Sequence, residues 1–128
     1  MDQKKTVDMF CSILNDFLND MYRSYPDPSL LILLNATKTM IQFSPLMVVQ
    51  NFMLCIHDYK DKIRTRDTSF FLGGELANNL EGGSYSFLVE EINKVAEIWR
   101  RPETTDKTKN SIWKYFEVLE KLGSKIVI

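Results

Sequence analysis

Near the N-terminus the apolar positions recur with helical spacing. Val7, Phe10, Leu14, Phe17, Leu18 and Met21 fall on one face, with Asp and Asn residues on the other. The pattern predicts a helix over 3–24 with an aromatic-rich buried stripe. Pro26 and Pro28 forbid its continuation, because proline lacks an amide hydrogen and clashes with the preceding turn. Asp27-Pro28-Ser29 then opens a second helix: the Asp27 side chain can accept from a free backbone N–H, and proline suits the first turn. Leu30, Leu31, Leu33, Leu34, Ala36, Met40 and Ile41 make this helix apolar over much of its circumference, which predicts a central position.

Ser44-Pro45 repeats the start signal for a third helix. Val49, Phe52, Met53, Ile56, Tyr59 and Ile63 lie on one face of it, and its mixed-charge end over 58–67 is expected to project into solvent. Residues 66–87 are irregular. Asp67 or Thr68 can cap a short turn, and the pairs Gly73-Gly74 and Gly82-Gly83 mark a shaped connection with a short helix inside. Ser84 or Ser86 starts the next helix, carrying Leu88, Ile92, Val95, Ala96 and Trp99 and stopped by Pro102. Thr105-Asp106 caps the last long helix, with Ile112, Trp113, Phe116 and Leu119 inward and a stop at Leu122-Gly123. The expected fold is all-α: one bundle of about five main helices over 1–123, a short helix in the Gly-rich connection, and an apolar tail over 124–128. That tail, Ser124 to Ile128, either docks on the core or reaches a neighbour.

Composition leaves this picture intact. At 128 residues the chain fits one domain able to bury roughly two-thirds of its unfolded surface. Hydrophobic residues make up 45% and charged residues 26%, ordinary globular values. A formal net charge of −1 provides no global field for nucleic acid or an anionic membrane. The charges are unevenly placed: 75–98 is acidic, and 99–128 is mildly basic through Arg100, Arg101, Lys107, Lys109, Lys114, Lys121 and Lys125. The opening Met-Asp-Gln-Lys-Lys does not read as a signal peptide, and the longest apolar run, Leu30 to Leu34, is too short to span a bilayer. With two cysteines, Cys11 and Cys55, the expected setting is a reducing intracellular compartment (cytoplasm or nucleus) with free thiols.

Candidate chemistry is thin. His57 is the single histidine, and Cys55, two residues earlier on the same helix, points to a different side. Both cysteines read as small core residues. His57, Asp58 and Asp61 sit within one turn, a spacing that also arises by chance at charged helix ends. The glycine pairs lack the Lys and the preceding strand of a phosphate loop. The reading is therefore of a chain that is not an enzyme, with no cofactor, no metal and no evident small-molecule substrate. Aromatic residues remain. Phe70, Phe71, Tyr85 and Phe87 bracket the Gly-rich segment, and together with Ile126 and Ile128 of the tail they are the candidate partner-binding residues.

Two segments carry a likeness. Arg66-Asp67-Thr68-Ser69-Phe70-Phe71-Leu72 after a charged helix, and Ile112-Trp113-Lys114-Tyr115-Phe116-Glu117-Val118-Leu119 near the C-terminus, resemble segments of small α-helical proteins encoded by large nucleocytoplasmic DNA viruses. The resemblance implies a viral origin, with a role in the virion or the infected cell, and transfers no functional residue. The expected function is a non-enzymatic structural or protein-interaction module, binding a protein partner or itself, as a component or assembly factor of a viral particle. The alternative is a nucleic-acid-associated or transcription-regulating protein working through the basic 100–125 region.

Overall fold

The predicted start signals at Asp27, Ser44, Asp67 and Thr105 each make a side-chain bond to a backbone amide at a helix start. The computed structural model describes residues 3–72 and 86–126, apart from the side chains of His57, Leu72 and residues 86–89. The first helix, α1, spans Gln3–Ser24. Asp27 is extended, and its Oδ1 accepts from the Ser29 amide at 2.9 Å, satisfying one orphan donor of α2, Pro28–Phe43. Ser44 ends α2 in an extended conformation, as a residue preceding proline should, and donates its amide to the Met40 carbonyl at 2.8 Å. α3 then runs Pro45–Ile56.

The long third helix expected through Ile63 does not form as one piece. His57–Tyr59 is a 3-10 turn, followed by α4 over Lys60–Thr65. Side chains three apart eclipse in a 3-10 turn, so Tyr59 stands over Ile56, and both stay buried along with Ile63. The spacing of buried positions survives the break; the hydrogen-bond ladder does not.

Arg66 terminates α4 in the left-handed region, at φ 55°. Its amide donates to Ile63 and that of Asp67 to Lys62, the paired closure that usually has glycine at this position. The Arg66 side chain compensates. Its Nε and Nη2 donate to the two carboxylate oxygens of Glu117, each at 3.1 Å. Asp67 Oδ1 accepts from the Ser69 amide at 3.0 Å and starts α5, Ser69–Leu72. α6 spans Ser86–Arg100, and α7, Asp106–Ser124, begins where the Thr105 hydroxyl accepts from the Thr108 amide at 3.2 Å.

Among the described residues there are seven α-helices and no strand, so the all-α expectation holds. α1 packs along α7 and against α2 and α3; α6 lies on α2, α3 and α5; α4 lies on α7. Phe71 is the hub of the aromatic core. Its ring lies 5.2 Å from Trp99, 4.7 Å from Trp113 and 5.7 Å from Phe116, between centroids. The chain of rings continues through Phe52, Phe17 and Phe10.

Two further expectations change. Gly123 does not stop α7, which continues through Ser124. Instead it lets α7 approach α3: a Cβ there would sit 2.2 Å from the Met53 sulfur. And α2 is not central. It buries Leu30, Leu33, Leu34 and Thr37, while Leu31, Ile32 and Phe43 are exposed. Among the described residues, no helix is seen packed on the arc that carries Leu31, Ile32 and Phe43. Of the tail, Ile126 is buried in the core, and residues 127–128 lie outside the described residues.

Candidate interaction surface on the second and third helices

Three of the six partner-binding residues expected from sequence, Phe70, Phe71 and Ile126, are buried. Phe70 and Phe71 are buried, the latter only 1% exposed, and so offer no surface anchor. Asp67 and Arg100 explain why. The Asp67 cap turns the chain inward just before them, and Arg100 Nη1 donates to the Phe71 carbonyl at 2.7 Å, satisfying a backbone group that ends without a helical partner. Ile126 is likewise core. Tyr85, Ile128 and the Phe87 side chain lie outside the described residues.

Arg100, Arg101 and Lys109 of the basic region make contacts within the molecule. Arg101 pairs with Glu97 at 3.0 Å and with Asp27 at 3.6 Å, and Lys109 lies 4.5 Å over the Trp99 ring. Lys94 holds Asp27 at 2.7 Å. Through that Lys94 bond, and through its bonds from Ser29, the Asp27 carboxyl is held well below the usual carboxylate range. These cations tie α6 and α7 to their neighbours. Both cysteines are buried, and burial pushes their thiols up, to about 11 for Cys11 and about 12 for Cys55. Such thiols stay protonated and unreactive at neutral pH.

The exposed apolar residues lie elsewhere. Phe43 is 78% exposed at the end of α2, Ile32 is 68% exposed earlier on α2, and Leu54 is 59% exposed on α3; Leu31 and Met47 are also exposed. Met47 and Leu54 are seven apart, hence on one stripe of α3. Phe43 and Met47 flank the corner at Ser44. Met9 and Val118 are exposed too, on α1 and α7, where Val118 lines a cavity with Ile13, Tyr115 and Lys114. Single exposed apolar residues are ordinary; a group on consecutive helices is not.

A second property marks the same stretch. Between Asp27 and Asp58, Lys38 is the only Lys, Arg, Asp or Glu. The polar residues on the outer arcs are instead amides and hydroxyls: Asn35, Thr39, Gln42, Gln50 and Asn51. An outer surface with Lys38 as its one charge within 28–57, carrying Phe, Met, Leu and Ile, is close in composition to an interface centre, although Ile32 borders Glu90, Lys94, Glu97 and Arg100 of α6. This gap in the charge pattern was visible in the sequence and is the signal that reading aromatics alone missed.

The inner side of the same helix pair holds one carboxyl. Glu91 of α6 is 2% exposed and hydrogen-bonds to Thr37 of α2. The Thr37 hydroxyl also donates to the Leu33 carbonyl at 2.9 Å. The one hydroxyl hydrogen of Thr37 is thus within reach of two acceptors, the Leu33 carbonyl and Glu91 Oε2. Burial, partly opposed by the Thr37 contact, pushes the Glu91 carboxyl up to about 8, which agrees with the neutral form at pH 7. Its Oε1 has no partner, and Glu91 lines a cavity of about 10 Å³ with Leu14, Phe17, Phe52 and Phe116.

Among the described residues, no helix is long and apolar enough to cross a membrane. The chain matches no protein-family model, no curated protein and no solved structure.

Proposed function

We propose that the protein is a non-enzymatic interaction module that binds a protein partner through the outer face of α2 and α3, as a component or assembly factor of a viral particle. The observation that carries the reading is the exposed group Ile32, Phe43, Met47 and Leu54 on the one long stretch of the chain nearly free of charge. An uncharged apolar face costs little to desolvate, and aromatic and Met side chains are the usual anchors of such contacts. The viral part rests on the resemblance in Arg66–Leu72 and Ile112–Leu119. Those segments contain the αL arginine, the Asp67 cap and core side chains such as Phe71, Trp113 and Phe116, so they bear on fold and origin rather than on the surface.

The test is a comparison of captured proteins. Wild type, Phe43→Glu/Leu54→Glu and the control Val118→Glu are each used as bait in extract from the native source. The expected result is loss of captured partners with the double variant alone. Identical captures by all three baits would overturn the reading.

A further inference from the structure

We infer that the contact between α2 and α6 is a proton-operated latch, closed while Glu91 is neutral and opened when Glu91 ionises. Among the described residues, polar contacts join the two helices at two places. At the outer end Asp27, the cap of α2, meets Lys94 at 2.7 Å and Arg101, just past α6, at 3.6 Å. At the inner end Thr37 of α2 hydrogen-bonds to Glu91 of α6. The outer pin is partly exposed, and its carboxyl stays ionised at every pH above the acid range. The inner pin differs. Glu91 is 2% exposed, no cation pairs with it among the described residues, and its Oε1 lacks a hydrogen-bond partner. Such a place tolerates a neutral carboxyl; a carboxylate there needs water or a cation.

No neighbouring helix supplies that cation. α1 faces Glu91 with Leu14, Phe17 and Leu18, and α7 with Phe116. Cys55 of α3 is close enough to feel its charge, but that thiol, raised to about 12, stays uncharged. Lys38, the one charge of α2, is exposed. Burial accordingly pushes the Glu91 carboxyl up to about 8. Hydration is reached through the seam itself. A cavity of about 620 Å³ lies between the two helices, with Ile32 and Leu33 on one wall and Glu90 and Lys94 on the other. Leu33 borders this cavity while its carbonyl accepts from the Thr37 hydroxyl at 2.9 Å, so parting the helices there brings water to Thr37 and Glu91. α2 is suited to the movement. Thr37 is the last residue it buries fully, and the extended residues Asp27 and Ser44 bound it at both ends. The latch does not depend on what covers the outer face of α2.

The experiment is native-state amide hydrogen exchange of the full chain between about pH 5.5 and 7.5, under conditions where closing outruns exchange. It is read as protection factors, which remove the intrinsic pH dependence of exchange. Each opening releases one proton, so protection of the Leu34 and Thr37 amides is expected to fall about tenfold per pH unit. The Leu14 and Phe116 amides of α1 and α7 are expected to stay better protected at every pH, because the latch opens without unfolding the core. Glu91→Gln is expected to abolish the slope in α2. Asp27→Asn, which loosens the outer pin, is expected to lower α2 protection by one constant factor and to keep the slope. The wild-type slope is read without any variant: α2 protection that is flat with pH overturns the latch even if Glu91→Gln fails to fold. Equal protection of α2 and α7 overturns it too, since Glu91 would then act on global unfolding alone. A slope that persists in folded Glu91→Gln assigns the proton to another group and overturns it as well.

Discussion

The α2–α3 pair and the contact of α4 with α7 solve the same problem with opposite chemistry. Both must hold a helix against the core. On α7, Arg64 reaches the buried Glu120 at 2.7 Å, and Arg66 clasps Glu117 with two nitrogens while also meeting Asn110. Ser124 adds a third contact, donating to Glu120 at 3.2 Å. On α2–α3 the outer face has no such network, and the one carboxylic acid beneath it is kept neutral. Charge pairs orient a helix but need water or a partner on every remaining lone pair. A face without charge is free to be covered. The difference suggests that the α4–α7 side is finished as a surface, whereas the α2–α3 side is built for something to lie on it.

Two phenylalanines break or sharpen the contrast most strongly. Phe71→Ala removes the hub of the ring cluster and should cost about 3–5 kcal/mol. Phe43→Ala, on the outer face, should change the stability of the monomer by less than about 0.5 kcal/mol. Denaturant unfolding at a concentration low enough to exclude association measures both. Comparable losses would mean that Phe43 is structural and that the outer face has no spare anchor.

Glu91 comes next. Burial raises its carboxyl in the folded state to about 8, well above the usual glutamate range. The folded state therefore holds a proton that the unfolded chain releases. The associated stability is complete below about pH 4.5 and falls as pH rises through about 8, by about 1.4 kcal/mol per pH unit in between. Glu91→Gln keeps the shape and removes the titration. The two unfolding curves should converge near pH 5 and separate steadily towards pH 8, with the Gln variant more stable there. Depressed carboxylates such as Glu97 and Glu117 act in acid, outside this window. A wild type with the same pH slope as Glu91→Gln would place a charged carboxylate in the core.

A smaller effect is expected on the charged side. Arg64→Ala leaves Glu120 buried beside Ser124 without its cation and should cost about 1–2 kcal/mol, a figure reduced because Arg64 is itself more than half exposed. The double change Arg64→Ala/Glu120→Gln should recover most of that loss, as chemical unfolding of the set would reveal. No recovery would mean that the arginine stem, not the pair, holds α4 in place.

Much of this was legible beforehand. Proline positions and capping residues are local signals, and Asp27, Ser44, Asp67 and Thr105 bound the helices as their chemistry requires. What stayed hidden depended on tertiary placement. The leucines of α2 announce burial without saying which arc is covered, so Leu31 read with the apolar positions of a central helix although it is exposed. Phe70 and Phe71 sit next to a glycine pair and looked like loop residues, yet the Asp67 cap and Arg100 turn them inward across a sequence gap no local pattern spans. Gly123 has the same residue type as a helix stop, and only the proximity of Met53 shows its other use. The break at His57–Tyr59 kept the spacing of buried positions and so left no trace in the hydrophobic pattern. For the candidate surface, the charge gap was readable, but its meaning required knowing that the uncovered arcs of α2 and α3 lie outward.

The finest discrimination rests on Arg66. Two effects meet at this residue: a backbone at φ 55°, which disfavours side chains, and a guanidinium fork on Glu117, which rewards this one. Glu117 raises the affinity of Arg66 for its proton, and the Glu117 carboxyl is lowered in return, chiefly by its bond from Arg66. Arg66→Gly removes the fork and relieves the backbone; Arg66→Ala removes the fork and relieves nothing. Both should melt below wild type, with the Gly variant roughly 2–5 °C above the Ala variant. Adding salt should narrow the gap between wild type and Arg66→Gly, because the fork is partly exposed, and should leave the gap between the two variants unchanged. Equal melting of Gly and Ala would mean that α4 ends without left-handed strain, so that the ion pair alone distinguishes this side of the molecule from the uncharged α2–α3 face.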